Sequence, residues 1–279
     1  MLADVIDLLI CPLCGSDLDL GDDDKFLLCD RGHTFDVARQ GYVSLQSGGA
    51  GKITGDSADM IAARADFLDA GHFAPIADAV SQAVGSVGSV GTVLEVGAGT
   101  GHYLAAVLDA ADGARGIGVD VSKAAARRVA RAHPRLGSIV ADVWQGLPVR
   151  DGSVDAVTCV FSPRNASELR RVLTPEGVLV VVTPTERHQR ELTATVGLIG
   201  VDEDKARRLG DSLAGKFEAV ERDVVEYAVQ LDHDAVEAFV AMGPSARHTT
   251  PAARRASIES MPEPVHVTVS VTVGTYRAV

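Results

Sequence analysis

The sequence predicts an α/β fold: a largely parallel sheet with helices on both faces, an antiparallel strand at its end, and a small metal-binding segment in front. Three observations carry this. From residue 92 to residue 184, short apolar runs alternate with helix-patterned runs, the order of a parallel sheet wrapped by crossover helices. The tail "VHVTVSVTVGTYRA" alternates strictly, with Val265, Val267, Val269, Val271 and Val273 on one face and His266, Thr268, Ser270 and Thr272 on a more polar one, which suits an antiparallel strand. Three of the four cysteines lie between residues 11 and 29, and His33 follows the last by four places.

The chain divides into a Cys/His segment at 1–46, a Gly-rich linker "SGGAGKITG" at 47–55, and one α/β domain at 56–279. The domain opens with a helix over "DSADMIAARADFLDAG", capped by Asp56 or Ser57 and ended by Gly71. "GTVLEV" is a strand and "HYLAAVLDAA" a helix; "ARGIGVDV" is a strand, and "SKAAARRVARAH" a helix opened by Ser122 and closed before Pro134. "GSIVADV" and "VDAVTCVF" are strands. "NASELRRVLTPEG" is a helix stopped by Pro175 and Gly177, and "GVLVVVTP" is a strand. "FEAVERDVVEYAVQL" supplies one more strand, and the helical "DHDAVEAFVAMG" and "TPAARRASIES" separate it from the tail.

Composition narrows the function. No apolar run approaches the ~20 residues that cross a bilayer. The start, "MLADVIDLLI", is too short and too acidic for a secretory signal. The chain reads as cytoplasmic. Clustered thiols in a reducing compartment point to a metal rather than disulfides. The formal net charge of −12 is the wrong overall sign for a nucleic-acid binder, so such a role needs a local basic patch.

The metal ligands are spaced Cys11-x2-Cys14, a 14-residue gap, then Cys29-x3-His33. Two close pairs of this kind make a tetrahedral structural zinc site of the Cys3His type, with Gly15 and Gly32 relaxing the turns. A segment this short with few large apolar groups needs the free energy of metal binding to fold. Cys159, in the apolar run "AVTCVF", reads as an inert core residue.

The second constellation is "LEVGAGTGHY" at 94–103, where a strand runs through Glu95 into Gly97, Gly99 and Gly101. A dinucleotide fingerprint would need glycine at 102, which is His102. Asp120 ends the next strand and Asp142 the one after, so three neighbouring strands present carboxylates at the ligand-binding edge of the sheet. No phosphate-loop Lys or Ser/Thr follows the glycines. The expected ligand has a ribose and an adenine but no polyphosphate.

This profile resembles the class I S-adenosylmethionine-dependent methyltransferases, with a Rossmann-like, mixed seven-stranded sheet. The resemblance implies Gly97, Gly99 and Gly101 around the methionine portion, Asp120 on the ribose, and Asp142 with Val143 near the adenine. The order of "CPLC", "C-x3-H-x-FD-x-A-x-x-GYV-x-L", "GDS-x-x-M-x-x-AR-x-x-FLDAGHF", "SPRNASEL-x-RVL" and "TP-x-x-RH-x-x-EL" resembles, over almost the whole chain, the RlmA family of 23S rRNA guanine-N1 methyltransferases. "MGPSARH" resembles its Gram-positive branch, which includes tylosin- and mycinamicin-resistance enzymes. The resemblance implies zinc on Cys11, Cys14, Cys29 and His33, and Phe73, Tyr103, Leu104 and His188 in the cofactor pocket. It also implies an rRNA hairpin as substrate, a contribution to macrolide resistance, and a homodimer whose zinc modules help form the RNA cleft.

Guanine N1 carries a proton that must leave, so a base, or donors to the O6-enolate, would assist. The loop "FSPRNASE" is where Arg164 and Asn165 are expected to contact the base, although Asn165 is also placed to cap the next helix. Phosphate contacts are expected from Arg164, Arg187, Arg190 and Arg247, while Arg127, Arg128 and Arg131 read as a solvated helix face. The acidic zinc segment favours one other reading, a small-molecule methyltransferase that retains zinc as scaffold; a third, a catalytically silent RNA- or protein-binding module, is opposed by the intact Glu95, Asp120 and Asp142.

Overall fold

A computed structural model describes residues 2–47, 55–86, 88–196, 205–243 and 250–279. Most of the expected linker lies outside these residues, as do Lys52, Arg247 and the "PSARH" of "MGPSARH". A 3-10 helix, Leu2–Leu8, leads into strands β1 (Leu18–Leu20), β2 (Phe26–Cys29), β3 (Thr34–Asp36) and β4 (Tyr42–Ser44). Helices α1 (Ala58–Asp69) and α2 (Ala74–Gly85) follow, then β5 (Thr92–Val96), α3 (His102–Ala110), β6 (Arg115–Asp120), α4 (Lys123–Ala132), β7 (Leu136–Val140) and β8 (Val154–Val160). The chain continues through α5 (Ala166–Val172), β9 (Leu173–Pro184), α6 (Arg190–Val196), α7 (Lys205–Leu213), β10 (Phe217–Leu231), α8 (His233–Ala241), α9 (Pro251–Glu259) and β11 (Val265–Ala278).

The main sheet has eight strands in the order β10-β11-β9-β8-β5-β6-β7-β4, not the seven expected. The extra strand is β4, which pairs in parallel with β7 through Tyr42↔Ser138 to Ser44↔Val140. Only three residues long, it left no readable alternation. β11 runs antiparallel to β9 and β10. Its more polar face is wetted at the start, where His266 is exposed and Thr268 half-buried, and closes over Ser270 and Thr272: Ser270 Oγ donates to Glu226 Oε2 at 2.8 Å, and Thr185 Oγ1 donates to Ser270 Oγ at 2.6 Å.

Helix starts follow their caps. Ser57, not Asp56, caps α1 by accepting from Met60 N–H, and Ser122 caps α4 through Ala124 and Ala125 N–H. α5 ends at Val172 rather than near Pro175, because Leu173 already pairs with Val154 of β8. α2 is absent from the sequence reading, although Pro75 in its first turn and Ile76, Ala77, Val80 and Val84 on its buried face are regular helix signals.

The N-terminal segment shares a core with the main sheet. Leu2, Val5, Leu8 and Leu9 are buried against the β6–β7 side, and Val5 stands where a side chain on Gly137 would lie, 2.3 Å from that Cβ position. Arg115 of β6 grips Asp7 with both terminal nitrogens at 2.7 Å, a pair that lowers the Asp7 pKa. β1, β2 and β3 form a separate antiparallel sheet that carries the ligand cluster.

Candidate active site and metal centre

Cys11, Cys14, Cys29 and His33 converge, with their ligand atoms within 4.8 Å of one another. Cys14 Sγ lies 3.7 Å from Cys29 Sγ, and His33 Nδ1 lies 3.5 Å and 3.4 Å from Cys11 and Cys29 Sγ. Zinc–sulfur bonds of about 2.3 Å in a tetrahedron separate two sulfurs by about 3.8 Å. The four groups therefore fit zinc in both donor type and spacing. Cys159 is buried in β8, its thiol pushed up to about 12 by burial.

The principal cleft opens at the C-terminal ends of β5, β6, β7 and β8 and holds about 600 Å³. Its floor is the glycine loop. Gly97 has φ +70°, and a Cβ there would sit 2.5 Å from Ser162 Cβ, so the loop after β8 lies directly on it. Asp120 Oδ2 accepts from Gly99 N–H at 2.9 Å, and its Oδ1 accepts from Ser122 N–H at 2.8 Å. Burial raises the Asp120 pKa against those two bonds. Asp142 Oδ1 accepts from Trp144 N–H at 3.0 Å and Oδ2 from Gln145 Nε2 at 3.3 Å. Gln145 Oε1 in turn accepts from Ser47 Oγ at 2.9 Å, which ties the end of the N-terminal segment to this carboxylate.

Phe73, Gly97, Gly99, Tyr103, Asp120, Asp142, Val143 and His188 all line the cleft. Glu95, Gly101 and Leu104 do not. Glu95 is fully buried beneath the loop and accepts from Leu104 N–H at 3.1 Å, so it caps the start of α3. That site, dry and near Asp120, pushes its carboxyl up to about 8. A Cβ on Gly101 would meet Ala132 Cβ at 2.8 Å, so this glycine lets α3 approach α4.

Arg164 and Asn165 also lie off the cleft lining. Asn165 makes no side-chain cap; its Nδ2 donates to Val143 O at 3.0 Å, linking the loop after β8 to the one after β7. Arg164 Nη1 donates to Ser162 O at 2.9 Å. Each side chain thus donates to a backbone carbonyl beside the cleft. Arg187 and Arg190, expected on phosphate, are paired with Glu226 at 3.0 Å and Glu191 at 3.3 Å.

Sequence reasoning missed Arg64. It lines the cleft, lies over Gly99 with Nη1 3.3 Å from that residue's Cβ position, and pairs with Asp56 at 2.7 Å. A cation over a glycine loop suits the carboxylate of an amino-acid portion. Phe161, Trp144 and Phe239 were missed as cleft walls too. A carboxylate pair at the strand ends, a glycine floor and a cation beyond it fit a ribose-bearing ligand with an amino-acid tail.

The family models agree with this division of labour. A "RlmA, N-terminal" zinc-ribbon model matches residues 9–46, and a "Methyltransferase domain" model matches residues 93–177. A 23S rRNA (guanine(748)-N(1))-methyltransferase from Streptomyces fradiae is 45% identical over 275 residues, covering 98% of this chain and 97% of the relative. The chain belongs to the RlmA family of 23S rRNA (guanine-N1)-methyltransferases. A Micromonospora griseorubida protein, provisionally assigned the same activity, is 45% identical over 293 residues, covering 99% of each chain. A chain of the complex between the Haloferax volcanii Trm112 methyltransferase activator and a provisionally assigned methyltransferase shares the fold, at TM-score 0.53 and 20% identity over 81% of this chain and 99% of that one. This RlmA-family chain is thus an S-adenosylmethionine-dependent methyltransferase with a zinc ribbon. Among the described residues, no helix is long and apolar enough to cross a membrane.

Proposed function

We propose that this chain methylates N1 of a guanine in a 23S rRNA hairpin, in the cytoplasm and as a homodimer. In this reading residues 1–46 are the zinc module that meets the hairpin, 47–55 the linker and 56–279 the methyltransferase domain. The observation that carries it is the union of a Cys3His cluster with an aspartate-lined strand-edge cleft on a chain 45% identical, end to end, to the S. fradiae enzyme.

Bound S-adenosylmethionine supplies a methyl group activated by its sulfonium. The chain's task is alignment and a dry site. Asp120, held by the Gly99 and Ser122 N–H groups, and Asp142, held by the Trp144 N–H, would take the ribose and adenine; Val143 would line the adenine side, and Arg64 would be available to the amino-acid carboxylate. Cys11, Cys14, Cys29 and His33 would hold a structural zinc that keeps β1–β3 in place.

The net charge of −12 demands a local surface for phosphate. α4 offers one. It carries Lys123, Arg127, Arg128 and Arg131 and no acid, and none of the four has an ion pair among the described residues. Mass mapping of 23S rRNA from a strain lacking this protein tests the reading. Loss of one methylguanosine, with greater sensitivity to tylosin- and mycinamicin-type macrolides, is the expected result; an unchanged methylation map overturns it.

A further inference from the structure

Resting on the methyltransferase reading, we propose that Phe161 is the platform on which the acceptor guanine stacks. The cleft has two unlike halves. The ends of β6 and β7 carry Asp120 and Asp142, the groups that suit a ribose and an adenine. The ends of β8 and β9, with α8 above them, carry Phe161, Pro163, His188 and Phe239. The glycine loop of β5 lies between. With the nucleoside on the β6–β7 side and the amino-acid tail toward Arg64, the β8 side is left for the acceptor, and its walls are aromatic.

Phe161 has features that packing alone does not explain. Among the described residues six large apolar side chains are exposed, and two of them, Trp144 and Phe161, line this one cleft. Phe161 is 41% exposed. Its backbone has φ +53°, a left-handed conformation that is an outlier for a bulky side chain and that concentrates at ligand sites. The surroundings hold it there. Its N–H donates to Val182 O at 3.2 Å, and the next residue, Ser162, is clamped between Gly97 and Arg164.

The ring is backed on one side. It stacks on His188 with centroids 5.9 Å apart and planes 26° apart, and Phe73 stands 6.3 Å away. A guanine displaced from its own stack finds there a flat apolar face already supported from behind, next to the glycine loop. Trp144 lines the same cleft from the opposite half, on the Asp142 side.

The test compares Phe161→Ala, Phe161→Gly and Phe161→Tyr, with in vitro transcribed 23S rRNA as substrate and calorimetry for S-adenosylhomocysteine. Loss of one base–aromatic stack lowers kcat/KM for RNA by about ten- to a hundred-fold in the Ala and Gly variants. Tyr retains most of the activity, and cofactor affinity stays unchanged in all three. The Gly variant, freed of the left-handed penalty, melts no lower than the Ala variant despite losing the same ring. Wild-type kcat/KM in the Ala variant overturns the platform and leaves the methyltransferase reading standing. Parallel loss of RNA turnover and cofactor affinity also overturns it, because Phe161 is then a cofactor wall. A wild-type protein that binds the cofactor yet methylates no 23S rRNA overturns the reading and the platform together.

Discussion

The zinc ribbon and the cofactor loop both turn on left-handed glycines, and they differ in what surrounds those glycines. Gly15, beside Cys14, has φ +73° and nothing within 4 Å of its Cβ position. Gly97 has nearly the same φ, +70°, but Ser162 stands 2.5 Å from its Cβ position. In the ribbon the backbone turns freely in solvent, and order comes from four ligand atoms. At the sheet edge the loop is pressed between a strand end and the next loop, and order comes from packing. The ribbon shares part of the sheet's core and relies on its metal site for the rest; the glycine loop relies on packing alone.

Metal removal breaks this comparison hardest. Structural zinc in small domains contributes about 10–16 kcal/mol of apparent binding free energy. Chelation, or Cys29→Ser, is expected to melt β1–β3 while the sheet from β5 to β11 survives. Hydrogen exchange checks this by locating the loss of protection. The 3-10 helix at Leu2–Leu8 should keep part of its protection, because Val5 against Gly137 and the Asp7–Arg115 pair do not depend on metal. Uniform loss across the whole sheet would show that ribbon and core form one cooperative unit.

The glycine pair gives the next largest effect. Gly97→Ala forces a Cβ into Ser162 at a left-handed φ, and should lower cofactor affinity about a hundred-fold or more by calorimetry. Gly15→Ala meets only the φ penalty and should cost about 1 kcal/mol in thermal unfolding of the zinc-loaded protein. Equal costs at the two sites would contradict the contrast drawn from their surroundings.

These regions were also unequally legible in sequence. Cys11, Cys14, Cys29 and His33 are ligands whose spacing is local, so pattern alone found them. Asp120 and Asp142 were readable because one ends its strand and the other follows two residues after the next, at the same edge of the sheet. Glu95 was misplaced for a physical reason: all five residues of β5 are buried, so alternation gave no direction for its side chain, and it points under α3. Arg64 reaches the cleft from α1, some thirty residues before the glycine loop, and only the packing of α1 over Gly99 reveals it. Asn165 sits where a cap belongs, but the carbonyl of Val143 is the partner it takes.

Glu95 gives a pH-dependent effect confined to the packed region. Its folded pKa of about 8 lies above the ordinary value of 4.5, so the folded state binds more protons between those limits. The sign follows: stability falls as pH rises from about 4.5 to about 8, and is flat above. The slope is about 1.4 kcal/mol per pH unit where the site is fully protonated folded and ionised unfolded. Glu95→Gln keeps an acceptor for Leu104 N–H and removes the slope. Chemical denaturation at pH 6 and pH 8 should show the variant gaining on the wild type at the higher pH. A wild type as stable at pH 8 as at pH 6 would sink this reading.

The smallest effect lies on the outer face of α4, where neither metal nor packing decides. Lys123, Arg127, Arg128 and Arg131 lie on its solvent side, away from the buried Ala125, Ala126 and Val129. Arg127→Gln or Arg131→Gln alone should weaken binding to 23S rRNA only a few-fold, because each removes one phosphate contact and leaves the helix intact. The double substitution should make the plot of log affinity against log salt shallower by about 1.5 to 2. Turnover at saturating RNA and cofactor affinity should not change, since neither residue reaches the cleft. Filter binding across a salt series measures the slope directly. An unchanged slope would return these arginines to an ordinary solvated face, and the phosphate surface would have to be sought nearer the zinc ribbon.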